Sequence, residues 1–303
     1  MQKGITIIQD IDVQTIEKYI NWRYFFNAWG LVGDFRQIEN ADLTQKEVWL
    51  SQYPLSIQPK ASEAFQLFID AKKLLNSKKR NGTFMINAVV GVFPASTKEE
   101  DIYIKLPNKE KKLPMLRQQT LNEKGVCLSL VDFLDVENDF IGCFAISVKS
   151  LTFEKEDAQS DPYKILLLQT LSDRLVEASA EWLHEQVRKK IWGFAKNEQL
   201  SVEDMKRSKY QGIRPAIGYP SLPDQSLIFE MKEILPLQKI GIEITENGAM
   251  FPASSVCGLI FSNPKSEYFM IKAISKEQFE DYAKRRGISA DKLKRFVRVE
   301  IVE

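Results

Sequence analysis

The residues best suited to chemistry lie together in Tyr210-Gln211-Gly212-Ile213-Arg214-Pro215-Ala216-Ile217-Gly218-Tyr219-Pro220. Two prolines and two glycines surround one arginine. Glycine serves where the backbone turns left-handed or must approach another group closely, and proline removes an N–H from any ladder, so this run is neither helix nor central strand. A fixed, irregular path of this kind presents backbone polar groups and one planar guanidinium, a combination that suits a small anion such as a carboxylate. A second run of the same character, Glu246-Asn247-Gly248-Ala249-Met250-Phe251-Pro252-Ala253-Ser254-Ser255, leads into an apolar stretch.

Other chemistries lack their residues. The chain has no Gly-x-Gly-x-x-Gly, no Walker loop and no Cys-x-x-Cys, and His184-Glu185 lacks the second histidine of a zinc-protease helix. His184, the sole histidine, cannot build a histidine-rich metal site; beside Glu185 and Arg188 on a helical pattern it is expected at the surface or as a cap. Cys127, Cys143 and Cys257 are widely spaced, two of them in apolar runs where a thiol packs as a small hydrophobe, and are expected reduced. Forty-two basic against 41 acidic side chains leave a net charge of +1, which offers nucleic acid or an anionic membrane no general attraction. The N-terminal stretch carries Asp10, Asp12 and Glu17 without a long apolar block, and no later run approaches about 18 apolar residues, so a cytoplasmic chain without a secretory leader is expected.

The elements that must position these motifs follow from periodicity. Asp12 to Asn21 has helical spacing and delivers an aromatic cluster, Trp22, Tyr24, Phe25, Phe26 and Trp29, expected mostly in the core. Lys60 to Lys79 is an amphipathic helix with Ala64, Leu67, Phe68, Ala71, Leu74 and Leu75 on one face. Phe84 to Phe93 is a buried strand ended by Pro94, Asp101 to Leu106 a short strand, and Asn108 to Lys112 a charged turn. Val126 to Phe133 and Phe140 to Val148 are two further strands. Asp161-Pro162 starts the longest helix, with Leu168, Leu171, Leu175, Ala178, Trp182 and Ile191 in one stripe until Gly193. Ser201 caps a short helix, Asp224 to Leu235 is helical, Val256 to Ser262 and Tyr268 to Ile274 are strands, and Ser275 caps a final helix. Consecutive strands without intervening helices predict an antiparallel sheet and hence an α+β fold. One domain over residues 1–303 is expected, its helical part at 1–80, its sheet at 81–160, and the long helix and anion-binding segment at 161–303.

The wording of Arg214 to Tyr219, an Arg-x-x-x-Gly-Tyr motif, resembles the activation domain of cobalamin-dependent methionine synthase. The resemblance continues through Gly248 to Pro252, Ser254 to Val256, Phe261-Ser262, Pro264, Tyr268 and Glu280 to Ala283, and upstream through Tyr24 to Phe26, Gly91 to Ala95, Leu116 to Thr120, Asp132-Phe133 and Asp173 to Ala178. It implies a C-shaped domain with a curved, mostly antiparallel sheet packed by helices, and a shallow groove that binds S-adenosylmethionine. On the residues that match, it implies contacts from Glu177, Arg214, Pro215, Ala216, Gly218, Tyr219 and Tyr268, with Asn21 where the family has an aspartate and Ser208 where it has a glutamate. Both replacements remove negative charge near a cationic ligand. No catalytic base is implied, since the cofactor carries the hard chemistry.

The same resemblance implies a function. Cobalamin, carried by a partner and not by this chain, is returned from cob(II)alamin to methylcobalamin with a methyl group from S-adenosylmethionine and an electron from flavodoxin or a similar reductant. The cobalamin-binding Asp-x-His-x-x-Gly motif is missing here, so the chain is expected to act as a stand-alone subunit on a methionine synthase lacking its own activation module. Two alternatives stay open at this point: an activase or methyltransferase for another corrinoid protein, and a non-catalytic module that senses S-adenosylmethionine or scaffolds a partner.

Overall fold

The computed structural model describes residues 4–33, 35–76, 83–151 and 161–303. These form two compact units, one of Met1–Gln9, Asn87–Ser147 and Leu183–Glu303, the other of Asp10–Ile86 and Val148–Trp182.

The second unit is helical. It holds α1 (Val13–Glu17), α2 (Trp22–Ala28), α3 (Lys46–Leu50), α4 (Gln58–Leu75) and most of α5 (Pro162–Gln186). The helix starts are legible in local chemistry: Asp12 accepts from the Gln14 N–H at 3.0 Å, and Asp161 accepts from the Tyr163 and Lys164 N–H groups at 3.0 and 3.3 Å. The apolar stripe of α4 is buried at Ala61, Ala64, Phe65, Leu67, Phe68, Ala71 and Leu75. It meets the aromatic cluster, with Trp22 edge-on to Phe25 at 5.2 Å and to Phe68 at 4.6 Å. Tyr24 departs from the cluster and is exposed.

The first unit is built on a six-stranded sheet of β1 (Gly4–Ile8), β2 (Phe84–Lys98), β3 (Asp101–Lys105), β4 (Glu110–Pro114), β5 (Asp139–Ser150) and β8 (Ser255–Ile260). The order is β4-β3-β2-β5-β8, with β1 also on β2; β1 and β3 pair antiparallel with β2, β4 with β3, and β8 with β5. Small two-stranded sheets join β6 (Glu243–Ile244) to β7 (Met250–Phe251) and, in parallel, β9 (Ala273–Ser275) to β10 (Glu300–Val302). Helices α6 (Val202–Lys206), α7 (Leu227–Ile234), α8 (Lys276–Arg286) and α9 (Ala290–Leu293) complete the unit. The architecture is thus α+β with a mostly antiparallel sheet, as the strand pattern predicts. Cys127, Cys143 and Cys257 are free thiols, and burial pushes the Cys143 and Cys257 thiols above their ordinary range.

Several expectations are corrected. Pro94 does not end its strand: β2 pairs with β1 at Ala88 to Val92 and with β3 at Ala95 to Lys98, so Pro94 falls where one neighbour on that side gives way to the next. The charged run at Asn108 to Lys112 is partly strand, because Glu110 to Pro114 pair with Lys105 to Asp101. Val126 to Phe133 is loop and a 3-10 turn, held where the Ser129 N–H donates to Asp132 Oδ2 at 2.8 Å. Tyr268 to Lys272 is irregular, only Ala273 to Ser275 being strand, and α9 follows the helix expected to be last.

One buried charge cluster fixes the chain after the arginine motif. Asp224 Oδ2 accepts from Arg286 Nε at 3.1 Å and from the Tyr282 hydroxyl at 2.8 Å, and its Oδ1 accepts from the Ser226 N–H at 2.8 Å. Arg286 also reaches Glu230 Oε1 at 2.9 Å, and the Arg286 and Asp224 side chains are 2% and 1% exposed. Removing Asp224 leaves Arg286 with Glu230 alone and strands the buried Tyr282 hydroxyl, which costs on the order of 1–3 kcal/mol. Asp224→Ala is therefore expected to lower the urea midpoint by a destabilisation of about that size; an unchanged midpoint contradicts the cluster's role as an anchor.

Candidate functional site

The arginine motif runs beside β8 as an irregular extra partner. Ile213 and Phe261 exchange both backbone hydrogen bonds, at 3.1 and 2.9 Å, the Leu259 N–H donates to Pro215 O at 3.0 Å, and the Ile217 N–H donates to Cys257 O at 2.9 Å. Close approach explains the glycines. A Cβ on Gly258 would lie 2.3 Å from Pro215 O and 2.8 Å from Ala216 Cα, and one on Gly212, whose φ is +86°, would lie 2.3 Å from Phe261 O. Gly218, at φ +84°, opens the turn through Tyr219, where the Gly218 N–H donates to Leu222 O at 2.8 Å.

That track delivers Arg214 half-buried, with its side chain against aromatic groups. Its Nη1 donates to the Tyr210 hydroxyl at 2.8 Å and lies 3.3 Å from His184 Nδ1; its backbone N–H donates to the Tyr268 hydroxyl at 3.0 Å. The two phenol oxygens are 3.5 Å apart. Crowding by protein raises the Tyr268 hydroxyl above the usual phenol range, and the positive charge of Arg214 opposes that shift. Tyr268 is 44% exposed and Tyr219 48%, so neither is the core residue its type alone would suggest.

Tyr210 is the hub. Its ring stands edge-on to His184 at 4.7 Å, and the Arg188 guanidinium lies over its face at 4.4 Å. Arg188 is fully buried and forked onto Glu198, with nitrogen–oxygen distances of 2.7, 2.9 and 3.1 Å. At Val187–Ile191 the helix relaxes to π geometry, a distortion common beside functional side chains.

The structure thus brings Arg214, Pro215, Ala216, Gly218, Tyr219 and Tyr268 together within the first unit. Asn21 and Glu177 belong to the second unit, Asn21 at the start of α2 without a side-chain cap bond and Glu177 partly buried on α5. His184 corrects the expectation of a surface or cap residue: it is 0% exposed. Burial, and after it the charges of Arg214 and Arg188, hold its pKa well below the ordinary histidine range, so the ring is neutral. His184 and Arg188 were not expected at the site, and Tyr210 was expected only as the first residue of the arginine run. The signal was present in the spacing Ala180, His184, Val187 and Ile191, which continues an apolar face past the point where histidine reads as polar.

Among the described residues, no group of three or more His, Cys, Asp or Glu is placed to hold a metal ion, and no helix is long and apolar enough to cross a membrane.

The family described as vitamin B12 dependent methionine synthase, activation domain, matches residues 12–287. A crystal structure of the MetH reactivation domain bound to AdoHcy superimposes with a TM-score of 0.83 at 35% sequence identity, covering 97% of this chain and 89% of that one. The chain belongs to the activation-domain family of vitamin B12-dependent methionine synthases.

The tight seat of the motif on β8 is testable. Gly258→Ala sets a Cβ against backbone that cannot step aside, so a loss of about 1–3 kcal/mol is expected. Denaturant unfolding indistinguishable from the parent would show that β8 does not brace the motif.

Proposed function

We propose that this protein binds S-adenosylmethionine at the Arg214 to Tyr219 turn and supports reductive methylation of cobalamin carried by a methionine synthase. The observation that carries this reading is the orientation of the Arg214 guanidinium, held at Nη1 by Tyr210 and His184 inside the motif that the resemblance assigns to this ligand. Arg214 takes the ligand's carboxylate in a charge-assisted pair. Pro215, Ala216 and Gly218 let the backbone come close to the adenosine, and the exposed rings of Tyr219 and Tyr268 offer it faces to lie against.

When bound, S-adenosylmethionine would supply, by cleavage of its methyl–sulfonium bond and with S-adenosylhomocysteine as the leaving product, the methyl group that, with one electron from flavodoxin or a similar donor, converts the partner's cob(II)alamin to methylcobalamin. The chain's own residues bind and orient; none is required to move a proton. We further propose that the chain acts in trans, on a cobalamin-bearing synthase supplied as a separate polypeptide.

Arg214→Ala is expected to weaken S-adenosylmethionine about 10- to 100-fold by calorimetry, since a charge-assisted bond is worth about 1.5–3 kcal/mol. Arg214→Lys should recover only part, because a point charge cannot reproduce the planar fork. Unaltered isotherms for both would remove Arg214 from the site.

Reactivation is expected when the protein is mixed with a synthase fragment carrying cob(II)alamin, S-adenosylmethionine and reduced flavodoxin, read as the change in corrin absorbance. No covalent linker sets an effective concentration in that mixture, so the rate should rise with protein concentration and saturate at the dissociation constant of the complex. If ligand binding is verified and the rate never exceeds a control lacking the protein, the trans-acting reading fails and a sensing role takes its place.

A further inference from the structure

His184 is buried without an obvious reason in packing. An apolar ring of similar size would fill the space beside Tyr210 and leave no polar atom stranded, whereas His184 Nε2 is buried with no hydrogen-bond partner among the described residues. A buried, unpaired imidazole N–H costs free energy, so the histidine must return something that phenylalanine would not. What it returns is a lone pair. Arg214 has donors only, so the 3.3 Å approach of its Nη1 to His184 Nδ1 is a hydrogen bond only when Nδ1 is unprotonated. That places the single ring proton on Nε2, the orphaned atom.

The two hydrogens on Nη1 then have two takers, the Tyr210 hydroxyl at 2.8 Å and His184 Nδ1 at 3.3 Å. Two acceptors on one nitrogen define the rotation of the guanidinium plane, which a single acceptor leaves loose. We propose that His184 is a positioning residue which, as the neutral Nε2–H tautomer, accepts from Arg214 and sets the plane in which the guanidinium meets the carboxylate of an α-amino acid ligand. The inference rests on the reading of Arg214 as the carboxylate receptor. The charges around the ring favour the same state: Arg214 and Arg188 both disfavour a second proton, and the ring of Tyr210 stands edge-on to it.

The sole histidine makes the test direct, because imidazole 15N labelling of the full chain yields one pair of ring signals. The expected spectrum shows Nε2 protonated and Nδ1 bare from pH 5 to 8; a protonated Nδ1 overturns the proposal. The energetic arm uses calorimetry with S-adenosylmethionine and with 5′-methylthioadenosine, which keeps the adenosine and lacks the carboxylate. His184→Phe should weaken the first about two- to tenfold, the cost of immobilising a loosened side chain on binding, and leave the second unchanged. His184→Asn, whose amide oxygen can stand where Nδ1 stood, should restore most of the loss. Equal losses for both ligands, or none for either, would overturn the positioning role. Should His184→Phe fail to fold, the ring spectrum and the Asn variant decide. Arg214→Ala run in parallel separates the levels: if it too binds S-adenosylmethionine as the parent does, the carboxylate reading itself has failed, whereas a weak Arg214→Ala beside an unaffected His184→Phe sinks only the role of His184.

Discussion

The hydrogen bond from Arg214 to Tyr210 is the contact on which the site depends. A guanidinium at the border of protein and water has rotational freedom that binding would have to remove, and immobilising a rotamer-rich side chain costs about 0.5–1.5 kcal/mol. Here the removal is done by folding. Tyr210 stands four residues upstream on the same irregular track, and its ring is clamped between His184 and Arg188. The clamp in turn needs Glu198, since a buried Arg188 without its carboxylate would be an uncompensated charge. A line of support therefore runs from Glu198 through Arg188 and Tyr210 to Arg214.

The backbone imposes a second constraint of a different kind. Arg214 belongs to no helix or strand, so its Cα is placed by hydrogen bonds to Phe261, Leu259 and Cys257 along β8 and by the absence of side chains at Gly212 and Gly258. The Tyr268 hydroxyl accepts the Arg214 N–H at 3.0 Å, which ties a third segment to the same residue. Beyond the turn, the Asp224, Arg286 and Tyr282 cluster fixes where the chain goes next. A rigid sheet, an irregular strap and a buried ion pair divide the work of aiming one side chain.

Much of this was legible in the sequence, and the parts that were not share a cause. Caps at Asp161, Ser201 and Ser275 and the stripe of α4 depend on local chemistry, so they read directly from spacing. The motif around Arg214 was legible because prolines and glycines at that density exclude regular structure. The fate of Pro94 depends on where β1 stops and β3 begins, which no local window contains. Val126 to Phe133 carries β-branched and aromatic residues, yet its polar partners, Ser129 with Asp132 and Asp132 with Arg117, draw the backbone into a turn. His184 was misread for the same reason: a titratable residue looks solvent-facing until Tyr210 and Arg214 are brought against it from elsewhere in the chain.

The central claim is that the arginine fork is aimed before the ligand arrives. The most direct measurement is a pair of crystal structures of this chain, without ligand and with S-adenosylmethionine. The account predicts the ligand's carboxylate oxygens within hydrogen-bond distance of the Arg214 guanidinium, with Nη1 keeping both the Tyr210 hydroxyl and His184 Nδ1 in each structure. A ligand bound away from Arg214, or an Arg214 that abandons Tyr210 and His184 to reach it, would contradict the account.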